Sequence, residues 1–185
     1  MSVTIRPTEF DGVVIIEPRV FRDERGYFYE SWNRADWAAA GFAYDFIQDN
    51  HSRSARGVIR GIHYQDMTAP MGKLVRCTVG AVLDVAVDLR TGSPSFGRWF
   101  SLELTAENML QLYVPVGFGH AFQALSEGAE VQYKCTGAYT PAAEGAIRWD
   151  DPDLAIPWPI LPATVSAKDA AAGSLREYRE RPAFV

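Results

Sequence analysis

Hydrophobic and polar residues alternate with a period of two through much of the chain. Leu83, Val85, Val87 and Leu89 alternate with Asp84, Ala86, Asp88 and Arg90, which predicts a half-buried strand after a turn at Gly80. Val131, Tyr133 and Cys135 share one face in the same way, with Gln132 and Lys134 on the other. Shorter strands are predicted at residues 13–16, 28–31, 58–64, 74–79, 99–104 and 111–114. Turn signals separate them at Gly57, Gly80, Gly92-Ser93-Pro94, Pro115-Val116-Gly117 and Gly128. Many short strands at this spacing predict an all-β sandwich or barrel. Helices are few. Asn33 can cap one that carries Asp36 in its first turn and ends at Gly41, and Ser166 opens a second that runs through residues 170–172. Residues 141–162, rich in Pro, Trp and Asp, read as an irregular segment wrapped over the body. With no internal repeat and no linker, the chain is expected to form one domain, residues 1–185.

Composition narrows the function. Lys and Arg total 18 against 23 Asp and Glu, a net charge of −5, and a nucleic-acid partner would call for the opposite balance. A hydrophobic share of 48% argues against disorder. Cys77 and Cys135 are too few for a disulfide framework or a four-cysteine zinc site, and both sit among alternating apolar residues as buried thiols would. No basic start followed by an apolar run marks an export signal, and no run approaches the ~18 apolar residues of a membrane span. The expected compartment is the cytoplasm.

The chain has three histidines. His63, in Arg60-Gly61-Ile62-His63-Tyr64-Gln65, reads from these residues either as a general base or as a satisfied core histidine. His120 follows a turn that would carry it to a rim, and His51 sits in a polar loop, residues 49–54, with the surface as its default. Two histidines and a carboxylate could hold iron, but Gln65 stands where metal-binding barrels place the second histidine of a pair, so metal binding is disfavoured. Arg53, Arg56, Arg60, Lys73 and Arg76 cluster in an otherwise acidic chain, as a site for a phosphorylated small molecule would require. No glycine-rich loop enters a helix, which argues against a dinucleotide or nucleoside-triphosphate fold. Tyr133 and Tyr139 are core residues or proton donors, and Asp169 either caps the helix opened by Ser166 or orients a histidine.

These residues, in this order, carry a specific resemblance. Asp23 through Phe28, Gln48-Asp49-Asn50-His51-Ser52, Arg60 through Gln65, Gly72 through Arg76 and Asp88-Leu89-Arg90 are the first of them. Pro115 through His120, Tyr133 through Thr136, Asp150-Asp151-Pro152 and Ser166 through Asp169 continue it along nearly the whole chain. The chain resembles the dTDP-4-dehydrorhamnose 3,5-epimerase family. The resemblance implies a cupin-type jelly-roll β-barrel with a few short flanking helices, usually dimeric, that epimerises a dTDP-linked 4-keto-6-deoxy sugar without metal or organic cofactor. By position, it implies His63 as base, Asp169 as its orienting partner, Tyr133 as acid and Lys73 near the carbonyl oxygen. It implies substrate contacts at Arg25, Glu30, Gln48, Asn50, Arg60, His120, Glu144 and Lys168, with Tyr139 stacked on the thymine.

Two expectations follow. Strict alternation would put Arg60 and His63 on opposite faces, so a bulge is expected at Gly61. Ala121 follows His120 where the double epimerases generally have glycine, which leaves a mono-epimerase acting at carbon 3 or carbon 5 as the alternative. A metal-dependent cupin oxygenase using His63 and His120 is the rival from another class.

Overall fold

The computed structural model describes residues 3–185. Strands dominate it. A six-stranded sheet has the order β1 (Val3–Pro7), β2 (Val14–Pro18), β10 (Gln111–Val114), β7 (Lys73–Val79), β12 (Ala129–Cys135) and β5 (Gln48–Ser54). A five-stranded sheet has the order β13 (Glu144–Ala146), β6 (Ile59–Gln65), β11 (Phe118–Ala124), β8 (Ala81–Asp88) and β9 (Trp99–Thr105). A separate hairpin pairs β3 (Phe21–Asp23) with β4 (Gly26–Phe28), and the helices are α1 (Arg34–Ala39), α2 (Ala167–Ala170) and α3 (Leu175–Glu180). Neighbouring strands in both sheets pair antiparallel. The fold is the all-β jelly roll expected, built as two separate sheets that do not close into one continuous barrel.

Three apolar clusters hold it together. Between the sheets, Val75, Cys77, Leu112 and Val131 meet Val82, Ala86, Leu104 and Phe122. Outside the five-stranded sheet, Ile59, Val85, Val87 and Leu89 are covered by Leu154, Trp158, Leu175, Tyr178 and Phe184. Outside the six-stranded sheet, Ile16, Leu74 and Tyr113 pack with Trp37 and Phe42 from α1 and the residues after it.

This layering corrects the reading of β8. The strand is buried on both faces, because the C-terminal segment covers its Leu/Val side while its Asp side points between the sheets. Burial of Asp88 is compensated by Arg90, Ser93 and Ser95, all of which donate to its carboxylate. β5 was read as a polar loop, and it is a full strand whose inward residues Gln48, Asn50 and Ser52 are polar. The strand expected at 28–31 is instead the short β4, and the irregular 141–162 segment contains β13. The helix expected beyond Ser166 ends after one turn. A further helix, α3, which the sequence reading did not include, follows it and opens with a capping box between Ser174 and Glu177.

Candidate active site

At one end of the inter-sheet space the apolar filling stops and a two-lobed cavity opens. One lobe, of about 340 Å³, is lined by Gln48, Asn50, Gln65, Met71, Tyr139 and Glu144 among others. The second, of about 430 Å³, is lined by Ser52, Arg60, His120, Phe122, Lys168 and Asp169 among others. His63, Lys73 and Tyr133 line both lobes.

Alternation delivers these side chains. On β12 the inward series Ala129, Val131, Tyr133 runs from the core into the cavity, and on β7 Cys77, Val75 and Lys73 do the same. His63 and His120 come from the opposite sheet, where they are cross-strand partners on β6 and β11. Arg60 joins them through the expected irregularity. His120 pairs with His63 but Phe122 pairs with Arg60, so β6 carries one extra residue between the two pairs. Gly61 absorbs it with φ of +128°, and a Cβ there would lie 2.5 Å from that of Ala121. Ala121 itself is fully buried in the outer cluster against Ile59 and Ile62, on the side of β11 away from the cavity. The alanine that differs from the double epimerases therefore lies in the outer apolar cluster and does not line the cavity.

Two histidine–carboxylate pairs face the cavity. His63 Nε2 donates to Asp169 Oδ1 at 2.6 Å. Ser166 Oγ caps α2 by accepting from the backbone N–H of Asp169, which frees the aspartate side chain for the histidine. Capping and orientation thus coexist in one turn. His120 Nε2 donates to Asp84 Oδ1 at 2.8 Å, and Asp84 is a partner the sequence reading did not single out. The only available signal was an aspartate in the middle of an apolar strand.

Electrostatics suit proton transfer. Burial lowers the pKa of His63 below 6.5 and outweighs the opposing Asp169 carboxylate, so the imidazole is neutral over a wider pH range. Burial pushes the Tyr133 hydroxyl above 10, keeping its proton available at neutral pH. Burial also pulls the Lys73 ammonium below its usual value, against the pull of Cys135, Asp84 and Glu144, and places a weakly solvated cation 5.8 Å from the Tyr133 ring centre. A base must be deprotonated to work, so the acid limb of kcat/KM is expected below pH 6.5. In Asp169→Asn that limb should move lower still, because the carboxylate holds the histidine's pKa up. A limb at or above pH 6.5 in the unaltered protein would assign the proton to another group.

The structure brings together most of the anticipated residues and leaves two outside. Gln48, Asn50, Arg60, Tyr139, Glu144 and Lys168 line the cavity with the central groups. Tyr139 Oη donates to Glu144 at 2.7 Å, and Lys168 donates to the same carboxylate. Arg25 instead lies on the β3–β4 turn, paired with Asp23, and Glu30 accepts from the Asn33 side chain near the start of α1. Neither lines either lobe. The basic cluster also disperses, because strand alternation separates neighbours in sequence. Arg60 and Lys73 enter the cavity, whereas Arg76 turns outward to Tyr29 and Gln132, and Arg56 bonds the Leu125 carbonyl. His51, paired with Glu130 at 3.0 Å, is half-exposed on the outer sheet face.

The metal reading finds little in the donor set. His63 and His120 are each engaged by a different carboxylate, and Gln65 spends its amide on backbone groups. Among the described residues no three His, Cys, Asp or Glu side chains are grouped to hold a metal ion.

Comparison with known proteins agrees with this geometry. Residues 7–177 match the model of the dTDP-4-dehydrorhamnose 3,5-epimerase family. The chain is 50% identical over 175 residues to the dTDP-4-dehydrorhamnose 3,5-epimerase of Salmonella typhimurium, covering 93% of this chain and 94% of the relative. It is 55% identical over 159 residues to that of Pseudomonas aeruginosa, covering 85% and 87%. It is also similar to the crystal structure of the dTDP-6-deoxy-D-glucose-3,5-epimerase of Legionella pneumophila in complex with dTDP-4-keto-L-rhamnose. That match has a TM-score of 0.89 and 46% identity and covers 94% of this chain and 93% of the other. A match to the family model over residues 7–177, with 50% identity to a relative over 93% of the chain, places this protein in the dTDP-4-dehydrorhamnose 3,5-epimerase family.

Proposed function

We propose that this protein inverts carbons 3 and 5 of dTDP-4-dehydro-6-deoxyglucose, giving dTDP-4-dehydrorhamnose, and that one domain, residues 1–185, carries the reaction. The observation that carries this reading is that His63 and Tyr133 project from opposite sheets into one cavity. Inverting a carbon next to a ketone needs a base on one face and a proton donor on the other.

His63 Nδ1 takes the hydrogen from the carbon beside the ketone, and the bonding pair moves onto the ketone oxygen to give an enolate. Asp169 holds the imidazolium that results. Lys73 stabilises the oxyanion, a contribution of about 3 kcal/mol by analogy with oxyanion donors elsewhere. Tyr133 protonates the same carbon from the opposite face, and the phenolate and imidazolium return to their resting states by exchange with solvent. No electrons leave the substrate, and the ketone is its own electron sink, so the chemistry calls for no cofactor. Both carbons flanking the ketone share this acidity, and one site serves both. Ala121, outside the cavity, gives no reason to restrict the reaction to one centre.

Arg60, Lys168, Gln48 and Asn50 are assigned to the diphosphate and sugar, Tyr139 and Glu144 to the thymidine end, and His120 to the sugar. In this reading the protein is a cytoplasmic homodimer. What supports the dimer is the β3–β4 hairpin, which leaves Phe21, Tyr27 and Phe28 exposed and holds Arg25 clear of its own cavity. Arg25 and Glu30 would then reach substrate only in a second copy. The described residues include no helix long and apolar enough to cross a membrane.

The test is conversion of dTDP-4-dehydro-6-deoxyglucose followed by proton NMR in the presence of a chelator. Full turnover is expected with excess EDTA. Activity lost to the chelator and restored by ferrous iron would hand the cavity to the oxygenase reading.

A further inference from the structure

Gln65 ends β6 beside the cavity, where it is buried, and its amide is bonded on both sides. Nε2 donates to the carbonyls of Ala69 at 2.7 Å and Ala138 at 3.2 Å, while Oε1 accepts from the backbone N–H of Thr140 at 2.7 Å. One side chain therefore ties together two loops, residues 66–72 and 136–140. Those loops are locked to each other elsewhere as well. Gly72 N–H donates to Thr136 Oγ1 at 2.8 Å, Thr136 N–H donates back to the Gly72 carbonyl at 3.0 Å, and a Cβ on Gly137 would stand 2.5 Å from the Pro70 carbonyl oxygen.

The residue held by this arrangement is Tyr139. Its neighbours on both sides bond to Gln65, and its own N–H donates to Gln48 Oε1 at 2.9 Å. The residue is nonetheless 53% exposed, at the cavity mouth. A large aromatic ring fixed through its backbone, with its surface left free, is pre-organised to receive a planar group at little ordering cost.

We propose that Gln65 is a positioning residue for the nucleotide end of the substrate: by clamping residues 138–140 to the end of β6, it presents the Tyr139 ring to the nucleobase. This rests on the reading of Tyr139 as the base-stacking residue. It also explains what occupies the place of a second histidine on β6, since an imidazole with two ring nitrogens cannot make all three of these bonds. The clamp acts on binding and not on proton transfer, because none of its bonds involves His63, Tyr133 or Lys73.

The experiment measures KM, kcat and dTDP affinity for Gln65→Leu, alongside inhibition by inorganic pyrophosphate, which has no base. Loss of one aromatic–base contact predicts KM and the dTDP dissociation constant raised about 10- to 100-fold. The kcat should stay within about twofold, and pyrophosphate inhibition should be unchanged. Tyr139→Ala should show the same pattern, and the double variant should lose no more than Tyr139→Ala alone. If Gln65→Leu does not fold, Gly137→Ala parts the same loops from the other side and should give the same split. If Tyr139→Ala leaves dTDP affinity unchanged, the stacking reading itself fails. If Tyr139→Ala weakens dTDP but the loop variants do not, or if they weaken pyrophosphate equally or lower kcat, the role assigned to Gln65 is wrong.

Discussion

Replacing His63 with alanine is expected to lower kcat/KM by about 10³- to 10⁴-fold, near the upper end of what a single general base supplies. Among the described residues, the imidazole is the only side chain bonded to the Asp169 carboxylate, which sits on α2. Its removal leaves Asp169 buried and without its partner, so a second variant separates chemistry from packing. His63→Asn can keep a donor to Asp169 while offering no basic nitrogen, and it should be about as inactive as the alanine variant. Substrate affinity should change little, because the histidine acts on one hydrogen of the sugar while the diphosphate and base carry most of the contacts. Turnover in either variant within about tenfold of the unaltered enzyme would remove His63 from the mechanism.

Tyr133→Phe has the second largest expected effect, and its form is more informative than its size. The substitution removes one hydroxyl and keeps the ring that packs beside the apolar core. Inversion should fall by about 10²- to 10³-fold. Proton removal by His63 should survive, because the dyad lies on the opposite sheet and is untouched. In deuterated water the variant should therefore exchange the hydrogen next to the ketone with retention, returning labelled starting material faster than epimer. Equal loss of exchange and inversion would mean that Tyr133 takes part in forming the enolate and not only in quenching it.

The sheet-forming pattern was legible wherever one face of a strand was apolar. β8 and β12 were visible in the alternation of Leu, Val and Tyr with polar residues, and β7 and β10 as shorter strands between turn signals. β5 was not, because its inward positions line the cavity and are polar, which removes the hydrophobic signal from the strand that helps build the site. β8 misled in the opposite sense. Its aspartates looked like a solvent face, but both are buried: Asp88 is compensated by Arg90, Ser93 and Ser95, whereas Asp84 bonds His120 through Oδ1 and its Oδ2 has no partner among the described residues. Period-two reasoning alone could not reveal that both faces were covered, since the cover comes from residues 147–184.

The site was legible mainly through motif resemblance, and the structure altered its internal logic. The extra residue at Gly61 was inferable from chemistry, because Arg60 and His63 were both wanted in one cavity, and the strand register carries it. Cationic neighbours in sequence turned out to be poor guides, as alternation sent Arg60 and Arg76 to different faces of different sheets. Asp84 and Gln65 were invisible as site residues for a common reason. Each works through a partner brought close by the fold, His120 in one case and the loop carrying Tyr139 in the other.

The central claim is that one base, served by one ketone, acts on the carbons at either side of it. The most direct measurement is the position of deuterium in the product formed from unlabelled dTDP-4-dehydro-6-deoxyglucose in deuterated water. Deuterium at both carbon 3 and carbon 5 of dTDP-4-dehydrorhamnose is the expected result, with neither label appearing when His63→Asn is used. Product bearing deuterium at only one of these carbons, or at neither, would contradict the account.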